Sequence, residues 1–218
     1  MTKRLLCISL TLLLTLLAGP LPAELNNIKL VRPDFSKGKT VLEALRDRKS
    51  DRVYDSDNLS GRHISEVLWA AGGINRDSGA GEKLKRTAPS ANNDQSITIY
   101  AVTKNGVYRY DPMEHELIGI LAGDHRSKAG LQSYVTTAPL NLIYVSDLSK
   151  VTGDTKERKL MSAAMDAGHI SQNVYLYCAS AGLNTIARSS IDQDEIRNML
   201  KLDESFEPLL GQTVGQPK

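Results

Sequence analysis

The sequence predicts an α+β fold, a central and mostly antiparallel sheet flanked by helices. Three observations carry that expectation. Apolar residues recur at helical spacing in separate segments, Thr40–Arg48, Gly61–Ala71 and Thr155–Gly182. Strand-like alternation over Ser96–Thr103 runs into an Asn105-Gly106 dipeptide and a returning strand, Val107–Tyr110, the pattern of an antiparallel hairpin. Helical and strand segments then follow one another in mixed order, without internal repeats or low-complexity tracts.

Taken in order, the chain opens with two cations, Lys3 and Arg4, and an uncharged run, Leu5–Ala18, ended by Gly19, Pro20 and Pro22. About 18 apolar residues are needed to span a bilayer, so this shorter run reads as the core of a signal peptide, residues 1–23, cleaved after Ala23. The expected product is exported, periplasmic, and without a stable membrane anchor after cleavage. Residues 24–39 read as a polar, extended segment interrupted by Pro33 and Gly38, and residues 40–218 as one domain. In Thr40–Arg48, Val41, Leu42 and Leu45 share a helix face. Ser60 is a natural N-cap for Gly61–Ala71, whose stripe is Ile64, Val67, Leu68 and Ala71, and Gly72-Gly73 is its stop signal. Asn75–Asp94, rich in Gly, Ser, Asn and charge, reads as a long loop of the kind that is usually functional or mobile. Pro139–Val145 is a buried strand, Thr155–Gly182 one long helix closed by Gly182, and Leu209–Val214 a last strand. Asp192 caps a further helix, with Glu195 placed to complete a capping box.

Composition narrows the function. The whole chain has 27 Lys and Arg against 25 Asp and Glu, and loss of Lys3 and Arg4 with the signal makes it neutral. A neutral domain offers no long-range attraction for nucleic acid or anionic lipid. Cys7 leaves as well, so Cys178 alone remains, and a disulfide scaffold or a thiolate-rich metal site is excluded.

Three short segments could carry chemistry. Arg48-Lys49-Ser50-Asp51-Arg52 offers three cations and a hydroxyl, suited to a phosphate, although a basic helix end also favours the negative dipole terminus. Pro89-Ser90-Ala91-Asn92-Asn93-Asp94-Gln95 places amides before a strand, where they can bond a heterocycle, or serve only as turn residues. Asp166-Ala167-Gly168-His169 sits inside the long helix, where Gly168 permits close approach of a second helix or a flat ligand. Cys178 lies among apolar residues that would raise its pKa, and His115, Asp124 and His125 fit no short ligand motif. Trp69 reads as core.

In this order, Arg-Lys-Ser-x-Arg, Pro-Ser-Ala-x-Asn-x-Gln, Asp-x-Gly-x3-Gln-Asn and Ala-x-Gly-Leu-x-Thr, the motifs resemble the FMN-dependent nitroreductase family. Leu68–Ile74, Arg86–Ala91 and Gly106–Pro112 resemble its SagB-type dehydrogenase branch. The resemblance implies a nitroreductase-like dimer with FMN at the subunit interface and the helix around Gly168 in the dimer core. Arg48, Lys49 and Ser50 would hold the FMN phosphate side, and Arg52 would lie towards the ribityl chain and the N1 edge of the ring. Asn93 would bond the isoalloxazine, with Pro89, Ser90 and Gln95 in the same loop, and Leu183, Asn184 and Thr185 would pass close to it. Arg188 and Lys218 are candidates for a further phosphate contact, and Lys128 with Tyr134 for the branch's Lys–Tyr pair. The implied activity is hydride transfer through flavin N5 to or from a small-molecule substrate, with no side-chain nucleophile and no metal. The alternative is a catalytically inactive flavin-binding or partner-binding dimer of the same fold.

Overall fold

The computed structural model describes residues 25–55, 59–77, 79 and 83–218. The signal-peptide reading lies outside these residues. Seven antiparallel strands form the central sheet in the order β1-β6-β5-β4-β7-β9-β8. Its core strands are β4 (Ile97–Thr103), β7 (Leu140–Asp147) and β9 (Phe206–Gly215), and all eight residues of β7 are buried. Inward residues alternate along them. Ile99, Ala101, Leu142 and Tyr144 face α2 (Gly61–Gly72) and α3 (Lys156–Ala181), while Tyr100, Val102, Ile143 and Val145 face α4 (Gln193–Leu200) and two 3-10 turns. The sheet is thus covered on both faces.

Capping sets the helices. Thr40 and Glu43 form a reciprocal capping box at the start of α1 (Val41–Asp47), and Ser60 Oγ accepts from His63 N–H at the start of α2. Gly182, at φ +71°, ends α3 in the left-handed region. Asp192 caps α4, but Glu195 gives only its N–H to the cap; its carboxylate pairs with Lys128 at 2.5 Å.

Several expectations change. Only Ala44 of α1 is buried, and Val41, Leu42 and Leu45 are exposed, so the apolar face of α1 points outward. The loop expected over Asn75–Asp94 contains a short antiparallel pair, β2 (Ile74–Arg76) with β3 (Lys85–Arg86), and a 3-10 turn at Ala91–Asn93. Strands of two or three residues are too short to show a period. In the hairpin from β4 to β5 (Gly106–Asp111), Thr103 pairs with Gly106, so Lys104-Asn105 forms the turn and Gly106 already belongs to the strand. None of these three has a positive φ, so the turn is not the type I′ form that Asn-Gly suggests. Gly106 is needed instead for space, since a Cβ there would lie 2.6 Å from Leu121 O. Two further strands, β6 (Glu116–Ala122) and β8 (Asn184–Arg188), complete the sheet.

The N-terminal segment is a strap. Its two-residue strand β1 (Ile28–Lys29) pairs with β6. Val31 N–H then bonds Ser65 Oγ on α2, and Lys39 N–H bonds Ser180 Oγ on α3. Phe35 packs edge-on against Trp69, with ring centroids 5.1 Å apart. His115 Nε2 donates to Val31 O at 2.9 Å, which leaves Nδ1 to accept from Tyr110.

Candidate functional site

The segment after α1 meets the start of β8 beside the last turns of α3. Asp51 shapes it: its Oδ1 accepts from the N–H groups of Arg52 (2.7 Å) and Val53 (3.1 Å), while its own N–H donates to Thr185 O at 3.0 Å. Asn184 Nδ2 adds a bond to Val53 O at 2.7 Å. Tyr175 of α3 stands in the middle. Its hydroxyl accepts from Ala187 N–H at 2.8 Å and lies 2.9 Å from Ser50 Oγ, and the Arg48 guanidinium sits 5.4 Å from its ring centroid.

Charge here is only partly balanced. Lys39 and Arg46 both pair with Asp47, and Lys49 pairs with Asp51 at 3.0 Å. The Val53 N–H and the Lys49 ammonium hold the Asp51 carboxyl below the usual carboxylate range, so it stays ionised. Among the described residues neither Arg48 nor Arg52 has a carboxylate partner. A cavity of about 240 Å³ opens between this segment and α3, lined by Lys39, Lys49, Tyr175, Asn184, Thr185 and Pro217 among others, with neither Arg48 nor Arg52 in its wall. Leu183, Asn184 and Thr185 are themselves buried, and Thr185 Oγ1 is committed to Thr213 O. The backbone is engaged as well, Thr185 O by Asp51 N–H and Leu183 N–H by Cys178 O.

Pro89, Ser90, Asn93 and Gln95 lie elsewhere, on the 3-10 turn against the middle of α3. Asn92, Asn93 and Gln95 have φ of +49°, +56° and +52°. Three left-handed non-glycine residues within four positions persist only where neighbours over-determine them, and such strain clusters at functional sites. Here both carboxylate oxygens of Asp166 accept from Ala91 N–H, at 3.1 and 3.3 Å. Gln95 ties the rest together: Oε1 accepts from Arg86 Nε, and Nε2 donates to Leu84 O and Asn93 Oδ1. Asp94 accepts from Thr152 N–H at 2.7 Å. The Nδ2 group of Asn93 is then left with no partner among the described residues.

Asp166 is 4% exposed. Burial pushes its carboxyl above the usual range, and the Ala91 N–H and nearby His169 pull it partly back. Tyr175 and Asp166 mark two separate stations on α3, nine residues apart, or roughly 13 Å at ~1.5 Å rise per residue. One chain therefore gathers Arg48–Arg52 with Leu183–Thr185, but it does not bring in Pro89–Gln95.

Tyr175 carries no sequence signal as a site residue, and Asp166 falls in one of the three candidate segments without a role of its own. A tyrosine in an apolar helix reads as core. Asp166 did carry a signal, since its helical neighbours Ala163, Ala167 and Ile170 are core positions. Arg188 cannot serve the same cavity: it is buried on the opposite face of the sheet, bonded to Thr213 Oγ1, Ala129 O and Asn141 Oδ1. Lys128 is engaged by Glu195. Cys178 is fully buried, and burial pushes its thiol well up. His125 Nε2 bonds Ala122 O, and Asp124 pairs with Arg126.

A large antiparallel sheet with four helices, and a strained amide loop and an unbalanced cation pair at two stations on one long helix, define an α+β protein with two candidate binding stations. The nitroreductase family description matches residues 45–216. A protein of Methanocaldococcus jannaschii named as a nitroreductase is 32% identical over 201 residues, covering 88% of this chain and 98% of that one. The crystal structure of a nitroreductase from Ralstonia eutropha is 38% identical with a TM-score of 0.80, covering 88% of this chain and 90% of that one. The E. coli microcin synthetase complex shares the fold at 20% identity and a TM-score of 0.63, covering 87% and 77%. The chain belongs to the nitroreductase family, oxidoreductases that generally use a flavin cofactor. The family match starts within α1, so the strap lies outside it.

Proposed function

We propose that this protein is an FMN-dependent oxidoreductase that works as a homodimer and belongs to the SagB-type dehydrogenase branch. The observation that carries this reading is the pair of stations on α3, each holding residues that suit one half of a flavin site. Arg48, Lys49, Ser50 and Arg52 would hold the phosphate and ribityl end. Arg48 and Arg52 suit an anion because no carboxylate among the described residues already neutralises them, and the hydroxyl of Ser50 is exposed. Asn93, with Pro89, Ser90 and Gln95 shaping its loop, would bond the ring through its Nδ2 group, its Oδ1 being held by Gln95.

A second copy joins the two halves. The outward stripe Met161, Met165, Gly168 and Gln172 follows i, i+4, i+7, i+11 spacing along α3. A Cβ at Gly168 would meet nothing within 4 Å in the single chain, so that position is open to a neighbouring helix. An antiparallel α3 centred between Gly168 and Gln172 sets residue 166 of one copy beside residue 174 or so of the other. It also lays the exposed Val41, Leu42 and Leu45 of α1 over the partner's end of the stripe at Met161 and Met165. Covering these side chains, which are 49–79% exposed, gives the association its driving force.

Bound FMN supplies the redox chemistry, hydride exchange at N5. Arg52 would supply positive charge towards the N1 edge of the ring and so favour its reduction. The carboxylate of Asp166 keeps Asn93 in its strained conformation. We also propose that the mature protein is exported, on the strength of the Lys3-Arg4 pair and the uncharged Leu5–Ala18 run. A mature N-terminus at Glu24 in protein from the native source agrees with that, and an intact Met1 overturns it.

The test of the cofactor reading is a visible spectrum of the purified protein with and without added FMN. Flavin bands retained through gel filtration at the mass of a dimer support it. Colourless protein that takes up no FMN overturns it.

A further inference from the structure

Resting on the cofactor reading above, we propose that Tyr175 is a positioning residue for the FMN phosphate: it sets the direction of the Ser50 hydroxyl proton and stations Arg48 without neutralising it. A phenol has one proton and two lone pairs. The Ala187 N–H, a backbone group of β8, can only donate, so at 2.8 Å it takes one lone pair of the Tyr175 oxygen. The 2.9 Å contact with Ser50 Oγ can run either way. An anion beside Ser50 decides it. If Tyr175 donates to Ser50 Oγ, the Ser50 proton is free to point at the anion, and every donor from Ala187 N–H through Tyr175 to Ser50 runs towards the negative charge. Bonds aligned in this way polarise one another. The opposite direction would turn the Ser50 lone pairs on the anion.

The same ring holds Arg48. Its guanidinium lies 5.4 Å from the ring centroid, within cation–π range. An aromatic face restrains a cation while leaving its charge intact, whereas Lys49 beside it is paired with Asp51. Tyr175 therefore prepares both the neutral and the charged donor of one anion site, from a helix that touches neither donor's own segment in sequence.

The experiment compares FMN with riboflavin, which lacks the phosphate, by equilibrium titration of the full chain. Tyr175→Phe keeps the ring and removes the hydroxyl. FMN should bind a few-fold more weakly, because the Ser50 hydroxyl can still donate but loses its fixed direction and the polarisation along the chain, and riboflavin should bind as to the wild type. Ser50→Ala, which removes the donor itself, should show a larger selective loss of about tenfold, and adding Tyr175→Phe to it should cost nothing further. Equal losses for both flavins, no loss for either, or additive losses in the double variant overturn the inference. If Tyr175→Phe does not fold, 3,5-difluorotyrosine placed at 175 keeps the hydroxyl but lowers its pKa. Raising pH through that value ends donation to Ser50 and should weaken FMN alone; unchanged FMN affinity overturns the inference. A wild type that binds neither flavin overturns the cofactor reading instead.

Discussion

Asp166→Asn separates loop order from stability. The wild-type carboxylate holds Ala91 N–H, and through it a turn with three residues at positive φ. A hydrogen bond to a charged acceptor contributes about 1.5–3 kcal/mol against roughly 1 kcal/mol for a neutral one. Asparagine keeps one oxygen but replaces the other by a donor, so the loop loses about 1 kcal/mol and FMN affinity falls about fivefold. Amide exchange at Asn93 and Asp94, whose N–H groups bond Ser90 O and Ala91 O, should quicken by a similar factor. Global stability moves the other way. Burial raises the Asp166 carboxyl, so the folded state holds this proton more tightly than the unfolded state does. As pH climbs from the ordinary carboxylate value through the raised folded one, the unfolded chain releases the proton first and wild-type stability declines. Asparagine mimics the protonated acid and escapes that decline. Its advantage in melting temperature should be absent at low pH, grow across this window and stay flat above it. Thermal melts from pH 3 to 8, with FMN titrations at pH 7, read both effects. A variant less stable than wild type at neutral pH, or one with unchanged loop exchange, refutes the reasoning.

Arg52→Ala should keep the fold, since its exposed guanidinium bonds nothing among the described residues, and should weaken FMN binding or lower the flavin potential; unchanged affinity and potential refute its placement. Gly168→Glu should fold as well as wild type, because a side chain there meets nothing in one chain, yet elute as a monomer in gel filtration. A stable dimer would refute the α3 pairing. Tyr144→Phe removes a fully buried hydroxyl that donates to Gln212 Oε1 at 2.7 Å. It should cost about 1–3 kcal/mol in denaturant melts, the range for a buried partner left unsatisfied, and no change refutes that estimate.

The readable parts of the fold were those with local chemistry. Ser60 capping α2 and Gly182 closing α3 act within one turn, and short-range signals survive in sequence. β6 was missed because its residues are half-buried and Gly119 breaks the alternation. β8 was missed because only two residues separate it from the end of α3, so its first residues read as the helix exit. In α1 the apolar stripe was legible, but its direction was not, since a stripe looks the same whether the core or a second copy covers it. The site shows the same division. Arg48–Arg52 and Leu183–Thr185 were recognised as motifs and do meet, through Asp51 and Thr185. That Pro89–Gln95 sits at another station on α3 is a fact of three dimensions, and Tyr175, indistinguishable from a core tyrosine by type, acquires meaning only from the atoms around it.

The central claim is that each flavin site is built from two protomers, and subunit mixing tests it most directly. Arg48→Ala and Asn93→Ala homodimers should each bind FMN weakly. When the two are mixed and exchanged, about half the dimers become mixed, and each mixed dimer has one site free of both substitutions, as two-fold symmetry requires. High-affinity binding at about a quarter of the total sites is the predicted result. No recovery on mixing, with both variants folded and exchanging, would contradict a shared site.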